Sequence, residues 1–495
     1  DVYKRQVLQS TNSWNLKFVW NSQEEEYVSD ISDNTQDGVL DIRNELVSTE
    51  VRVTKKDART SKPVPDTTFG FYTKDNIYDK DGNVILKAGS KITKVKTDKD
   101  GKAIIPFPVP VMGERYGDKD LPINSGDYYF LEENISDSYY ISEEPIFVHL
   151  EYKNQETPIV TAEAKVVNEQ TEVEVDKLMI ASSVEIPNCH LKISDENGNE
   201  IVSWITGDKD SIIVNEKLEE MGYFNFEAKM NENGNIKING LLHDKEYVLT
   251  ETKPADGFVS ATDISFMLKL KIEKADYLTQ IFIKENEKFV PAISNKLVMY
   301  DDTTKIEFSK TEITGEKEIP GCELEVTDKE TGRIMDKWTS SKDKRIVEGK
   351  YVVGKTYMFT EKRPASGFAT AESVEFKISD TGNIQQVSMK DDTIKIQFSK
   401  IASDTKKLLP GAKYKVLDSK GKKVCEFTTK KKETALNGIL CAGETYTFVE
   451  HQAPKHYKKA KNVKITVKDT GKIQKIKVVD ERIPEVPDTP QTGYN

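Results

Sequence analysis

Cysteine is scarce in this chain of 495 residues: it occurs only at Cys189, Cys322, Cys425 and Cys441, and never as a CxxC pair. A disulfide-dense scaffold and a zinc ribbon are thereby excluded. No apolar run is long enough to cross a bilayer as a helix. The P-loop, the dinucleotide fingerprint and the nucleophile elbow are all missing. Five histidines are scattered, and His451 with His456 read as surface residues rather than a metal pair. Positive charge is in deficit, with 72 Lys and Arg against 83 Asp and Glu and a net charge of -11. That balance argues against nucleic acid as a general partner. The length exceeds what one core supports and implies three to five modules.

The segment Asp1 to Gln6 resembles the translated end of a sequencing-library adapter, so residue 1 is expected to be a read boundary, and the missing signal peptide carries no information. What the chain does contain is short alternating stretches bounded by turn dipeptides such as Asp81-Gly82 and Asn233-Gly234, an all-β pattern.

The alternating stretches repeat. Val51 to Lys55, Val173 to Lys177, Ile306 to Lys310 and Ile396 to Lys400 each end on Lys, and an aliphatic-Pro pair begins nine residues later. A second shared segment runs from Tyr247 to Glu251, Tyr357 to Glu361 and Tyr446 to Glu450, with an outline at Tyr128 to Glu132. A third closes each unit at Asn168, Asp301, Asp391 and Asp480, and a similar closing pattern ends at Asn44. The expected organisation is an adapter remnant at 1–6, the tail of a preceding β module at 7–45, and four modules at 46–168, 169–301, 302–391 and 392–482. Insertions enlarge the second module, and 483–495 form a Pro-rich tail.

Alternate residues of a strand share one face. Lys55, Lys177, Lys310 and Lys400 therefore fall on the apolar stripe of their strands, as do Glu132, Glu251, Glu361 and Glu450, and the closing Asn168, Asp301, Asp391, Asp480 and Asn44. Each module sends a lysine, a glutamate and an Asn or Asp into its core. Burying isolated charges costs several kcal/mol each unless they pair or neutralise. A structural ion cluster satisfies that demand. So does a chemical alternative, in which burial lowers the Lys pKa and raises that of the carboxyl. A neutral amine then attacks the Asn or Asp carbonyl while Glu shuttles protons, giving an intramolecular isopeptide bond.

These residues resemble the prealbumin-like, collagen-adhesin B-type domains of Gram-positive surface proteins and SpaA-type pilins. The likeness covers nearly all of 46–482 and is most specific at Glu361-Lys-Arg-Pro-Ala-Ser-Gly-Phe368 and Met389-Lys-Asp391. It implies an all-β fold of tandem immunoglobulin-like or prealbumin-like β-sandwich modules in an elongated array. It also implies bonds Lys55 to Asn168 beside Glu132, Lys177 to Asp301 beside Glu251, Lys310 to Asp391 beside Glu361, and Lys400 to Asp480 beside Glu450. Treated like a disulfide, loops of this size stabilise by about 4–5 kcal/mol each. No cofactor, no metal and no catalysis beyond self-crosslinking are expected.

The Pro-rich stretch Ile483 to Pro490 runs into Thr489-Pro490-Gln491-Thr492-Gly493, which resembles the LPXTG sorting signal with Thr in place of Leu. The resemblance implies sortase as a partner, covalent attachment to peptidoglycan through Thr492, and an extracellular, wall-anchored location. The function expected is a cell-wall-anchored adhesin or pilus-related stalk. The alternative is a ligand-binding adhesin that recognises host matrix protein or glycan through insertions such as Phe107 to Asn124 or Glu216 to Asn235.

Residues 395–477 hold 21 Lys against 7 Asp and Glu. A solvated surface is the preferred reading, and a module seated against anionic wall polymer is the alternative. Cys189 and Cys322 share a repeat position and read as small packing residues. Cys425 and Cys441 lie in one module, where both the paired and the free state remain open.

Overall fold

The computed structural model describes residues 17–21, 26–30 and 48–484, apart from 80, 113–121, 153–158, 181, 183, 274–275 and 295; for 17–21, 26–30 and 271–278 it describes the backbone alone. Asn44, the hexapeptide Asp1 to Gln6, and Thr489, Pro490, Gln491, Thr492 and Gly493 lie outside the described residues. Within 7–45, strands Lys17–Asn21 and Glu26–Asp30 pair antiparallel.

Among the described residues the regular structure is β-strand, with no helix. The chain forms two compact units. One comprises the described residues up to 178 with 183–253 and 262–300; the other comprises 179–182, 254–261 and those from 301 onward.

In the first unit, the opening strand Ser48–Asp57 lies between Ile159–Asn168 and Lys102–Ile104. A facing sheet runs Ile146–His149, Asp127–Asn134, Thr68–Thr73, Lys91–Lys96. Val51, Val53, Phe69, Phe71, Tyr128 and Phe130 fill the core between them. This is the outcome that alternation dictates, since the apolar residues of each strand share its inward face.

The second module, expected to carry insertions, has the most strands of the four among the described residues. Strands Glu172–Met179 and Leu297–Asp301 are neighbours in a four-stranded sheet, and the other sheet has seven strands. Ile264–Glu273 pairs with Glu246–Lys253 in the register that Val374–Lys377 and Val463–Thr466 repeat in the later modules, then continues into a meander with Asp276–Glu285 and Lys288–Pro291 that has no counterpart among the described residues of the other modules.

In the second unit the same plan appears twice in its smallest form. Lys305–Glu312 lies between Arg345–Glu348 and Ile384–Asp391, facing a sheet ordered Ile334–Thr339, Glu323–Asp328, Thr356–Arg363, Val374–Lys377. Ile396–Ala402 lies between Thr434–Ala435 and Gln474–Asp480, facing Lys423–Thr428, Lys413–Leu417, Thr445–Gln452, Val463–Thr466. Phe308 with Tyr351 and Phe359, and Phe398 with Tyr414 and Phe448, anchor the two cores.

Successive repeats are joined by a recurring set of backbone hydrogen bonds. Tyr140 N–H donates to Glu169 O, Thr171 N–H to Ser138 O and Gly240 N–H to Thr171 O, each at 3.0 Å. Val259 to Asp302, Thr304 to Gly257 and Gly349 to Thr304 repeat the pattern, as do Ala369 to Asp392, Ile394 to Gly367 and Gly438 to Ile394. The glycines at two of these positions are required by space. A Cβ on Gly257 would sit 2.3 Å from Gly349 O, and one on Gly367 would sit 2.3 Å from Gly438 O, with φ at +91° and +87°. After the fourth module Lys458 N–H still donates to Glu481 O and Ile483 N–H to His456 O, so His456, itself at φ 70°, stands where the glycines stand.

Candidate functional site

Opening and closing strands lie side by side, and their register places the acceptor. Ile159–Asn168 runs parallel to Ser48–Asp57 with Val166 beside Lys55, so Asn168 lies opposite the residue two beyond the lysine. The same offset holds for Lys310 and Asp391, where Met389 pairs with Lys310 and Asp391 with Glu312. It holds again for Lys400 and Asp480, where Val478 pairs with Lys400 and Asp480 with Ala402. Parallel pairing makes this arrangement recur, because strand ends of like direction come together and side chains two apart share a face.

The four lysines, the four glutamates and Asn168, Asp301, Asp391 and Asp480 are all buried, none more than 7% exposed. In the first module Lys55 Nζ lies 2.7 Å from Glu132 Oε1, and Asn168 Nδ2 donates to Glu132 Oε2 and to the Tyr140 carbonyl, both at 2.5 Å. One carboxylate thus faces both the amine and the amide nitrogen. Burial pushes the Lys55 ammonium down to about 8, against the opposing attraction of Glu132.

In the second module Lys177 Nζ lies 3.0 Å from Glu251 Oε1, and Asp301 ends the closing strand, buried. In the third, Lys310 Nζ lies 3.2 Å from Glu361 Oε1 and contacts Asp391 Oδ1 directly. Burial lowers the Lys310 pKa, with Glu361 opposing. In the fourth, Lys400 Nζ is 3.1 Å from Glu450 Oε2 and contacts Asp480 Oδ1. Burial raises the Asp480 carboxyl pKa, with Lys400 opposing, which favours the neutral acid.

Several participants were not apparent in the sequence. The backbone N–H ten residues past three of the glutamates donates to the carboxylate: Ser142 to Glu132 at 2.8 Å, Ala371 to Glu361 at 2.7 Å and Ala460 to Glu450 at 2.6 Å. The constant spacing is a signal that the repeats carried. Tyr414 was less legible: its hydroxyl lies 2.8 Å from Lys400 Nζ, at a position where the other modules carry Phe69, Leu191 and Leu324. Cys322 Sγ lies 3.9 Å from Asp391 Oδ2 and packs at 0% exposure, as does Cys189. Cys322, Glu361 and Asp391 come within metal-ligand range of one another, and Lys310 Nζ contacts both carboxylates, so the chain itself supplies the positive charge there. Cys425 and Cys441 are both free thiols.

Residues 49–165, 304–393 and 394–482, together more than half of the chain, match the family model of the SpaA prealbumin-like fold domain. The chain belongs to this family. Residues 169–301, which include the meander, fall outside the matched segments. No curated protein matches the chain. Among solved structures it is similar to the Bacillus anthracis TIE protein, at 14% identity over 96% of this chain and 76% of that one, TM-score 0.32. It is also similar to the shaft pilin SpaA from Lactobacillus rhamnosus GG, at 18% identity over 37% of this chain and 99% of that one, TM-score 0.22. The pilus adhesin SpaC of the same organism, in its open conformation, shares 12% identity over 86% of this chain and 57% of that one, TM-score 0.29.

Proposed function

We propose that this chain is the stalk of a Gram-positive surface protein, an adhesin or pilus-related subunit, whose modules each lock themselves with a Lys-Asn or Lys-Asp isopeptide bond. The observation that carries the reading is the direct contact of Lys310 with Asp391 and of Lys400 with Asp480, each beside a buried glutamate. The neutral amine of lysine attacks the side-chain carbonyl carbon, forming the new C–N bond. Glutamate accepts the amine's proton and passes it to the leaving group. The old C–N bond of Asn168 breaks to release ammonia, and the C–O bond of Asp301, Asp391 or Asp480 breaks to release water. Each step acts on the chain itself, without cofactor or turnover. Tension entering at the opening strand then leaves by the adjacent closing strand through a covalent link, which suits a stalk. Sortase attachment to peptidoglycan through Thr492 belongs to the same reading.

Intact mass tests it. A fully linked chain lacks one ammonia and three waters, and Glu361→Gln restores one water. An unmodified wild-type mass leaves the buried ion clusters as the whole explanation.

A second reading rests on a cleft of about 740 Å³ in the first unit. It is lined by Lys62, Lys99, Glu216, Tyr223, Phe224 and Phe226, so the insertion Glu216 to Asn235 supplies much of its wall. In this reading the cleft takes a host glycan or matrix peptide. Loss of binding to a glycan and matrix-protein array on Phe224→Ala supports it, and binding unchanged by that substitution removes it.

A further inference from the structure

The third and fourth modules share one fold and differ in charge. Residues 395–477 carry 21 Lys, no Arg and 7 acids. On the outer face of its four-stranded sheet the third module presents Glu323, Glu325 and Glu375, and each is engaged. Arg363 reaches Glu323 at 2.9 Å, Lys337 reaches Glu325 at 3.1 Å and Lys329 reaches Glu375 at 2.6 Å.

The same register positions in the fourth module are lysines. Glu323 pairs across with Arg363, whereas Lys413 pairs with Gln452. Glu325 pairs with Lys337, whereas Lys415 pairs with Glu426, which already lies 3.3 Å from Lys423 and 3.1 Å from His451. Lys464 stands where Glu375 stands, beside Thr447. Three acids have become three cations, and no ion pair among the described residues holds Lys413, Lys415 or Lys464.

Lys413 and Lys415 are spaced by roughly 7 Å along their strand, and Lys464 lies two strands away, about 10 Å across the sheet. Thr447 and Val449 lie between them and keep the surface low. Like charges held this close repel, and a polyanion relieves that repulsion by displacing their counterions. Lysine, without arginine's bidentate fork, meets an anion as a point charge and so places little geometric demand on a flexible phosphate chain. The aromatic rings of these strands, Tyr414, Phe427, Tyr446 and Phe448, pack against the core, and the His451 imidazole is held by Glu426, so the face presents no free aromatic platform for bases.

We infer that the outer face formed by Lys413, Lys415 and Lys464 binds a linear phosphodiester polyanion that carries no bases. The test titrates the full chain with synthetic poly(glycerol phosphate) across a salt series. The expected result is binding whose logarithm falls linearly with log salt. Lys413→Glu/Lys415→Glu/Lys464→Glu, which places glutamate where the third module already carries it, lowers affinity at least about tenfold and flattens that slope by about 2, at about 0.7 per lost phosphate contact. A neutral set, Lys413→Gln/Lys415→Gln/Lys464→Gln, gives the same direction if reversed charge perturbs folding. Binding left intact by both sets overturns the inference. Binding of single-stranded DNA or of phosphatidylglycerol vesicles as tight as that of the polymer overturns it in favour of nucleic acid or membrane.

Discussion

Glu132 Oε1 lies 2.7 Å from Lys55 Nζ with both side chains wholly buried. The other oxygen of the same carboxylate accepts from Asn168 Nδ2, so the glutamate bridges the amine and the group that would leave. Burial sets the cost of this arrangement and also its chemistry, because it disfavours the charged forms of the groups that must react.

The pH dependence of the first module follows from that burial. In Asn168→Ala no bond forms and Lys55 still titrates. Its folded pKa is about 8, against 10.5 for the free side chain. Between these values the unfolded chain holds the proton that the folded chain has released. Stability therefore rises as pH rises from about 8 to about 10.5, by at most about 1.4 kcal/mol per pH unit, and is lost as pH falls through about 8. Urea midpoints of Asn168→Ala read this directly, and adding Lys55→Met should abolish the slope. A flat profile for Asn168→Ala contradicts the assignment.

Tyr414 sets the fourth module apart. Its hydroxyl lies 2.8 Å from Lys400 Nζ, and burial raises the phenol's pKa, so it remains a neutral hydrogen-bonding group. Tyr414→Phe is expected to cost about 1–3 kcal/mol in an Asp480→Ala background, where no covalent bond masks the loss. In the otherwise wild-type chain it should slow release of the fourth module's water, followed by mass during refolding. Unchanged stability and unchanged rate together would remove Tyr414 from the site.

Gly367 tests the junction. A Cβ there would meet Gly438 O at 2.3 Å, and the backbone sits at φ +87°. Gly367→Ala should destabilise the docking of the third module on the fourth by about 1–3 kcal/mol, seen as faster proteolysis between Asp391 and Ile396. Gly438→Ala should do the same, since Gly438 itself sits at φ +69°. Cleavage at the wild-type rate in both would show that the close approach is not needed.

Much of the site was legible from spacing alone. Lys55, Lys177, Lys310 and Lys400 fall in phase with apolar neighbours, and although a single such lysine can reach water along its stem, four in the same phase, each matched by a Glu and an Asn or Asp, pointed to burial. The acceptors were legible for the same reason. Tyr414 was not, because an aromatic on an inward stripe is ordinarily core, and only the folded position of Lys400 gives its hydroxyl a partner. Insertions in the second module were expected, but not the continuation of Ile264–Glu273 past Met267 into its pairing with Asp276–Glu285, because its alternation matches that of any other strand pair.

The sequence by itself determined the all-β repeat and which residues enter each core, since both depend on local periodicity and on recurrence of the same pattern. Tertiary structure decided what those residues meet. The parallel pairing of first and last strands brings Lys310 to Asp391 and Lys400 to Asp480 across 81 and 80 residues, a proximity that no local pattern encodes. Sheet register likewise decided how the fourth module's charge is arranged: 21 lysines between 395 and 477 were countable in the sequence, but only the strand pairing sets Lys413 and Lys464 beside Gln452 and Thr447, and Lys415 beside a Glu426 already engaged by Lys423 and His451.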